Sequence, residues 1–95
     1  MKYELNCRYD ARKSFYGKAV VEEIETDENT TELILYSYNT VVARIEKGVN
    51  WAEYYYGGKY SQTTKRHQKE FFKQHGLTDK EIIELFKNKQ LVKEW

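Results

Sequence analysis

The residues with most chemistry to offer sit on one short stretch, residues 60–76, which reads YSQTTKRHQKEFFKQHG. His67 and His75 are eight positions apart, about two helical turns, and share a face with Phe71. That spacing suits a packed imidazole or a cation at a helix end. A metal pair needs closer spacing and help from carboxylates or thiolates. The chain has no glycine-rich phosphate loop, no zinc-binding helix motif and no nucleophile elbow. No catalytic, cofactor-binding or metal-ligating residue is therefore assigned. A non-enzymatic protein is expected, with one catalytic alternative left open: a small nuclease assembling His67, Arg66 and a strand Glu or Tyr in space.

The second chemistry on this stretch is cationic. At 100° per residue, Lys65, Arg66, Lys69 and Lys73 fall within about 100° of one another, away from the side that carries Thr64, His67, Phe71 and His75. Tyr55, Tyr56 and Tyr60, with Trp51 and Tyr54, lie just upstream. Cations beside aromatic rings are what binding of unpaired bases uses, and the same residue types dominate protein interfaces. Lys65, Arg66, Lys69, Lys73, Tyr55, Tyr56 and Tyr60 thus form the expected contact set. Ser61, Thr63 and Thr64 offer hydroxyls at the start of the helix. Capping is their ordinary use, and a helix start flanked by Lys65 and Arg66 is also a place to hold a phosphate.

Positioning these side chains requires a helix that begins near Ser61 and stops at Gly76. Thr78-x-x-Glu81 fits a capping box opening a second helix, with Ile82, Ile83, Leu85 and Phe86 as its apolar stripe. A helix-turn-helix reading of the pair fails on two counts. Phe72 occupies the site where a small residue normally lets the helices cross, and Asp79, Glu81 and Glu84 would repel phosphates.

Upstream, Lys2 to Asp10 alternates strictly and predicts a strand with Tyr3, Leu5, Cys7 and Tyr9 on one side. Phe15 to Ile24 predicts a second strand in which Gly17 marks a bulge or a close approach of another backbone, and Thr26 to Thr30 a hairpin loop within the acidic stretch 22–32. Glu32 to Tyr38 predicts a central strand, Asn39-Thr40 a tight turn, and Val41, Ala43 and Ile45 a fourth strand ended by Gly48. Trp51 to Tyr56 reads as a short fifth strand, and the tail Leu91 to Trp95 is expected to fold back. The expected fold is α+β: one domain, 1–95, with an antiparallel sheet of four to five strands followed by two C-terminal helices packed on one face.

The chain has 95 residues, 33% of them charged, with a formal net charge of +1. That balance is low for a protein built to coat duplex DNA. A lone Cys7 cannot form an internal disulfide, which suits a reducing compartment and a small hydrophobe in the core. No apolar run approaches a membrane span, and the N-terminus has no signal-peptide core. A cytoplasmic location without a membrane partner is expected.

Three stretches together carry a resemblance. DARKSFYGKA, LYSYNTVVARI and the helix-starting YSQTTKRHQKEFFKQHG share a pattern of SFYGKA, then SYNT-x-VA, then YS-x-TT-x-x-H. The pattern resembles small proteins of bacteriophages and prophages, mostly from Firmicutes, and covers about three quarters of this chain. Its residues here are Ser14 to Ala19, Ser37 to Thr40 with Val42 and Ala43, and Tyr60, Ser61, Thr63, Thr64 and His67. The resemblance implies a phage or mobile-element accessory protein in a bacterial cytoplasm, with no activity to carry over. On that basis the leading expectation is a binding protein that inhibits a host defence nucleoprotein, in the manner of an anti-CRISPR. The alternatives are a direct RNA or single-stranded DNA binder, a small nuclease, and a self-assembling structural phage protein such as a homodimer.

Overall fold

Runs rich in valine, isoleucine, leucine and tyrosine favour strands, and from residue 19 to residue 56 they succeed one another with only short turns between. The computed structural model describes residues 1–11, 14–58 and 61–95. Its elements are β1 (Lys2–Glu4), β2 (Ala19–Asp27), β3 (Thr30–Ser37), β4 (Thr40–Lys47), β5 (Trp51–Tyr56), α1 (Gln62–Gln74), α2 (Asp79–Asn88) and β6 (Gln90–Glu94). The strands form one antiparallel sheet in sequence order. The fold is thus α+β as expected, with six strands where four to five were read. The sixth is the tail, which pairs with β5 from Trp51↔Glu94 to Tyr55↔Gln90.

The helices cover one face. Ala19, Val21, Leu33, Leu35, Ala43, Ile45, Ala52 and Tyr54 meet Phe71, Phe72, Leu77, Ile82 and Leu85 in one buried core. Antiparallel register places their strand neighbours Glu22, Ile34, Arg44 and Tyr55 in a row on the opposite, uncovered face. Val42 and Ala43 are both buried because β4 carries a bulge there. Leu35 pairs with Ala43 while Tyr36 pairs with Val41, so Val41 turns outward where alternation alone would have buried it. The Val42 carbonyl accepts the Gly57 N–H at 3.0 Å and the buried Gln68 amide at 2.8 Å, which ties the bulge to α1.

Two turns differ from the sequence reading in a related way. Tyr16 and Gly17 both have positive φ, and Lys18 N–H donates to the Phe15 carbonyl, so this is a tight turn rather than a bulge. Tyr38 and Asn39, also at positive φ, form the β3–β4 turn one residue earlier than Asn39-Thr40. Twist-matched turns of this kind need left-handed residues at both centres, which is why Gly17 and Asn39 sit there. The acidic stretch 22–32 is the β2–β3 hairpin itself. Both strands run to its tip, where Asn29 N–H donates to the Asp27 carboxylate.

The first strand is the largest correction. It ends at Glu4, Leu5 N–H still donates to the Ala19 carbonyl of β2 at 3.0 Å, and residues 6–11 leave the sheet instead of continuing to Asp10. Three of their backbone groups find partners on α1: Glu70 accepts the N–H groups of Tyr9 and Asp10 at 2.8 and 2.9 Å, and Gln74 donates to the Asn6 carbonyl at 2.6 Å. A segment whose polar backbone is satisfied by helix side chains has no need of a ladder. Leu5 still enters the core, whereas Tyr9 points out and Cys7 is only partly buried.

Candidate nucleic-acid interface

Ser61 is the N-cap of α1; its hydroxyl accepts the Thr64 N–H at 3.3 Å, as its residue type predicts. His75 closes the helix and Gly76 follows at φ +89, a backbone that disfavours any other residue. Thr78 and Glu81 complete a capping box at α2. With both ends fixed, α1 buries Thr64, His67, Gln68, Glu70, Phe71 and Phe72 and turns its cations away from the core.

Those cations line a concavity of about 350 Å³ between α1 and the loop of residues 9–11. Its walls include Lys65, Arg66, Lys69 and Lys73 from the helix and Tyr9 and Asp10 from the loop. Arg66 pairs with Asp10 at 3.3 Å, and Lys73 with Asp79 at 2.9 Å. Both are surface pairs of small energy, worth about 0–1 kcal/mol each. Lys65 and Lys69 enter no ion pair among the described residues. The expected basic side is therefore one surface, and the loop makes it a groove.

The floor of this groove holds the residue that sequence reasoning passed over. Glu70 is 2% exposed, yet it carries a carboxylate. Besides the two loop N–H groups it accepts the Gln74 amide at 2.6 Å, so burial of its oxygens is matched by three donors. Lysine-rich surroundings hid it: within 59–75 it reads as a stray acid on a basic helix. Four-residue spacing from Arg66 and to Gln74 was the available signal.

The tyrosines of the expected contact set lie elsewhere. Tyr55 is on the uncovered sheet face, where Arg44 stacks 4.4 Å from its ring and Glu53 accepts its hydroxyl. That hydrogen bond, with burial and nearby carboxylates, raises its phenol above the usual value. Tyr56 is on the helix side, stacked on Phe86 at 4.1 Å. Neither lines the α1 groove: period-two alternation sends Tyr55 to the uncovered face, and Tyr56, on the helix side, is taken up by Phe86 of α2. Tyr60 lies outside the described residues. Ser61 and Thr64 serve the cap, with Thr64 buried against Ser37, which leaves Thr63 only half-buried as the third hydroxyl.

His67 is fully buried rather than poised at a surface. Its Nδ1 lies 2.7 Å from the Ser37 hydroxyl, which is 3.1 Å from that of Thr64, and the rings of Phe15 and Tyr38 pack at 4.5 and 5.8 Å. Ser14 to Ala19, Ser37 to Thr40 and Thr64 to His67 thus converge on one point, where both tight turns meet α1. A serine and a histidine in contact have the makings of a nucleophile and its base. Here Ser37 and His67 are sealed beneath aromatic rings, and the contact fixes α1 on β3. His75 is mostly buried too, at the edge of the Phe71 ring. Burial, helped by the charge of Lys47, lowers its pKa to about 4. Among the described residues no group of three or more His, Cys, Asp or Glu is arranged to hold a metal ion. No helix there is long and apolar enough to cross a membrane.

A family model described as a family of unknown function, DUF8033, matches residues 3–88. The chain belongs to the DUF8033 family. The matched region takes in β1 from its second residue, β2 to β5, both helices and every residue of the α1 groove, and it stops before β6. No curated protein matches the chain, and no solved structure does. For this DUF8033 chain a functional reading therefore rests on the groove's own residues.

Proposed function

We propose that this protein works by binding, and that the α1 groove contacts the phosphates of a nucleic acid carried by a host nucleoprotein. The observation that carries the reading is the groove itself: Lys65, Arg66, Lys69 and Lys73 around one concavity, with Lys65 and Lys69 outside any ion pair among the described residues. Lys65, Lys69 and Lys73 recur every four residues, about 6 Å of helix axis, so each offers a cation to a successive anionic group of a polymer. The resemblance to phage and prophage proteins supports a target in a bacterial cytoplasm, such as a defence effector that the protein would inhibit.

A direct RNA or single-stranded DNA binder is the second reading, since the groove asks for nothing besides a phosphate chain. A tagged pull-down from bacterial lysate, split into nuclease-treated and untreated halves, tests both. The inhibitor reading expects a host protein that comes down with its nucleic acid and is depleted by nuclease and by Lys69→Glu. Nucleic acid recovered without any protein supports the second reading. Recovery of neither, or of a protein indifferent to nuclease and to Lys69→Glu, contradicts a phosphate-binding role.

A further inference from the structure

We propose that the polymer in the α1 groove is single-stranded, and that Tyr9 is the platform on which one of its unpaired bases stacks. This rests on the phosphate-binding reading above and adds the class of ligand and a residue that reading does not use.

Tyr9 is 58% exposed although it belongs to a segment whose alternation predicts burial. It lines the cationic groove and also a second concavity, formed with Gly76, Leu77, Thr78 and Asp79 at the α1–α2 junction. Lys73 lines both as well, so an aromatic ring and a cation stand together where the two hollows join. The backbone beside this ring is held. The Tyr9 and Asp10 N–H groups donate to Glu70, a buried carboxylate whose placement costs free energy and which fixes the loop against the helix. An exposed aromatic ring on an anchored loop loses little conformational freedom when a flat ligand lands on it.

Duplex bases are stacked on one another and offer no face to a tyrosine, whereas unpaired bases do. The acids in the path favour the same choice. Asp10 and Asp79 offset Arg66 and Lys73, which leaves too little charge to hold a duplex by its backbone alone. An acidic peptide would use the lysines but would have no use for the ring.

The test is fluorescence anisotropy with short labelled oligo(dT) and oligo(rU), a hairpin duplex of matched length, and polyglutamate as competitor. Tyr9→Leu is expected to weaken single-strand binding about 5- to 100-fold, the usual effect of one stacked base. Tyr9→Trp is expected to retain it, and the duplex is expected to bind more weakly and to ignore both changes. Melting of Tyr9→Leu at the wild-type temperature confirms that the fold is intact. Single-strand binding that depends on Lys69 but not on Tyr9, or equal binding of duplex, overturns this inference and leaves the phosphate reading standing. Displacement by polyglutamate at equal charge overturns the choice of nucleic acid. Absence of binding to every probe overturns both.

Discussion

Buried polar side chains determine how this protein responds to single substitutions. His67 joins Ser37 and Thr64 in a sealed cluster, so His67→Ala removes volume and strands hydroxyls that have no access to water. A loss of about 2–4 kcal/mol is expected, seen as a lowered midpoint in urea denaturation. A nuclease base at this position would instead leave the fold intact when removed. Glu70→Ala is expected to cost a similar amount, about 2–4 kcal/mol, because the Tyr9 and Asp10 N–H groups lose a charged acceptor. It also frees the loop, so on the proposed reading groove binding and stability are expected to fall together, whereas Lys69→Glu is expected to lower binding alone. His75 supplies the pH dependence. A cation at a helix C-terminus is ordinarily favoured, but burial outweighs the dipole here and holds the pKa near 4. The unfolded chain therefore binds a proton between pH 6.5 and 4 that the folded chain does not. Stability is fully present above pH 6.5 and falls as pH drops through that window, by about 1–3 kcal/mol. Denaturation midpoints measured at pH 7.5 and 4.5 check this, and His75→Gln should flatten the difference.

Elements were legible in the sequence wherever a local rule set them. Both helix starts follow from Ser61 and the Thr78–Glu81 box, the α1 stop from Gly76, and β3 to β5 from alternation between turns. The failures have physical causes of longer range. Lys2 to Asp10 alternates as well as any true strand, but Glu70 and Gln74, more than sixty positions away, claim the backbone after Leu5. The bulge at Val42 shifts which valine is buried without leaving a glycine or proline to mark it. Strand β6 escaped because α2 ends in a left-handed lysine, Lys89, where no glycine signals a stop. That strand also makes a prediction. Removal of residues 90–95 strips β5 of its partner and uncovers a strand edge beside Tyr54. Aggregation on mild heating is expected, visible as light scattering that the full chain does not show. The basic face of α1 was readable from helical periodicity; its partner loop, and with it the groove, was not. Tyr55 and Tyr56 are near that face in sequence only: strand alternation puts Tyr55 with Arg44 on the open side, and Phe86 of α2 occupies Tyr56.

At the scale of the molecule, a six-stranded sheet with both helices on one side has two unlike surfaces. The helix side carries the cationic groove. The uncovered side carries Glu32, Glu46 and Glu53 directly opposite one another on three strands, tempered by Arg44, which pairs with Glu32 and Glu46 at 3.4 and 3.3 Å. A net charge of +1 thus conceals a polar arrangement, cationic on the α1 groove and acid-rich on the open sheet face, which on the proposed reading would turn the groove toward a polyanion. The most direct measurement is the affinity of labelled oligo(dT) for the wild type and for Lys65→Glu/Lys69→Glu across a salt series. Three phosphate contacts predict a slope of log K against log salt of about −2, with the double variant weakened at least about 10-fold and its slope brought toward zero. A wild-type affinity that does not change with salt, or that the double charge reversal leaves intact, would contradict a phosphate-binding groove on α1.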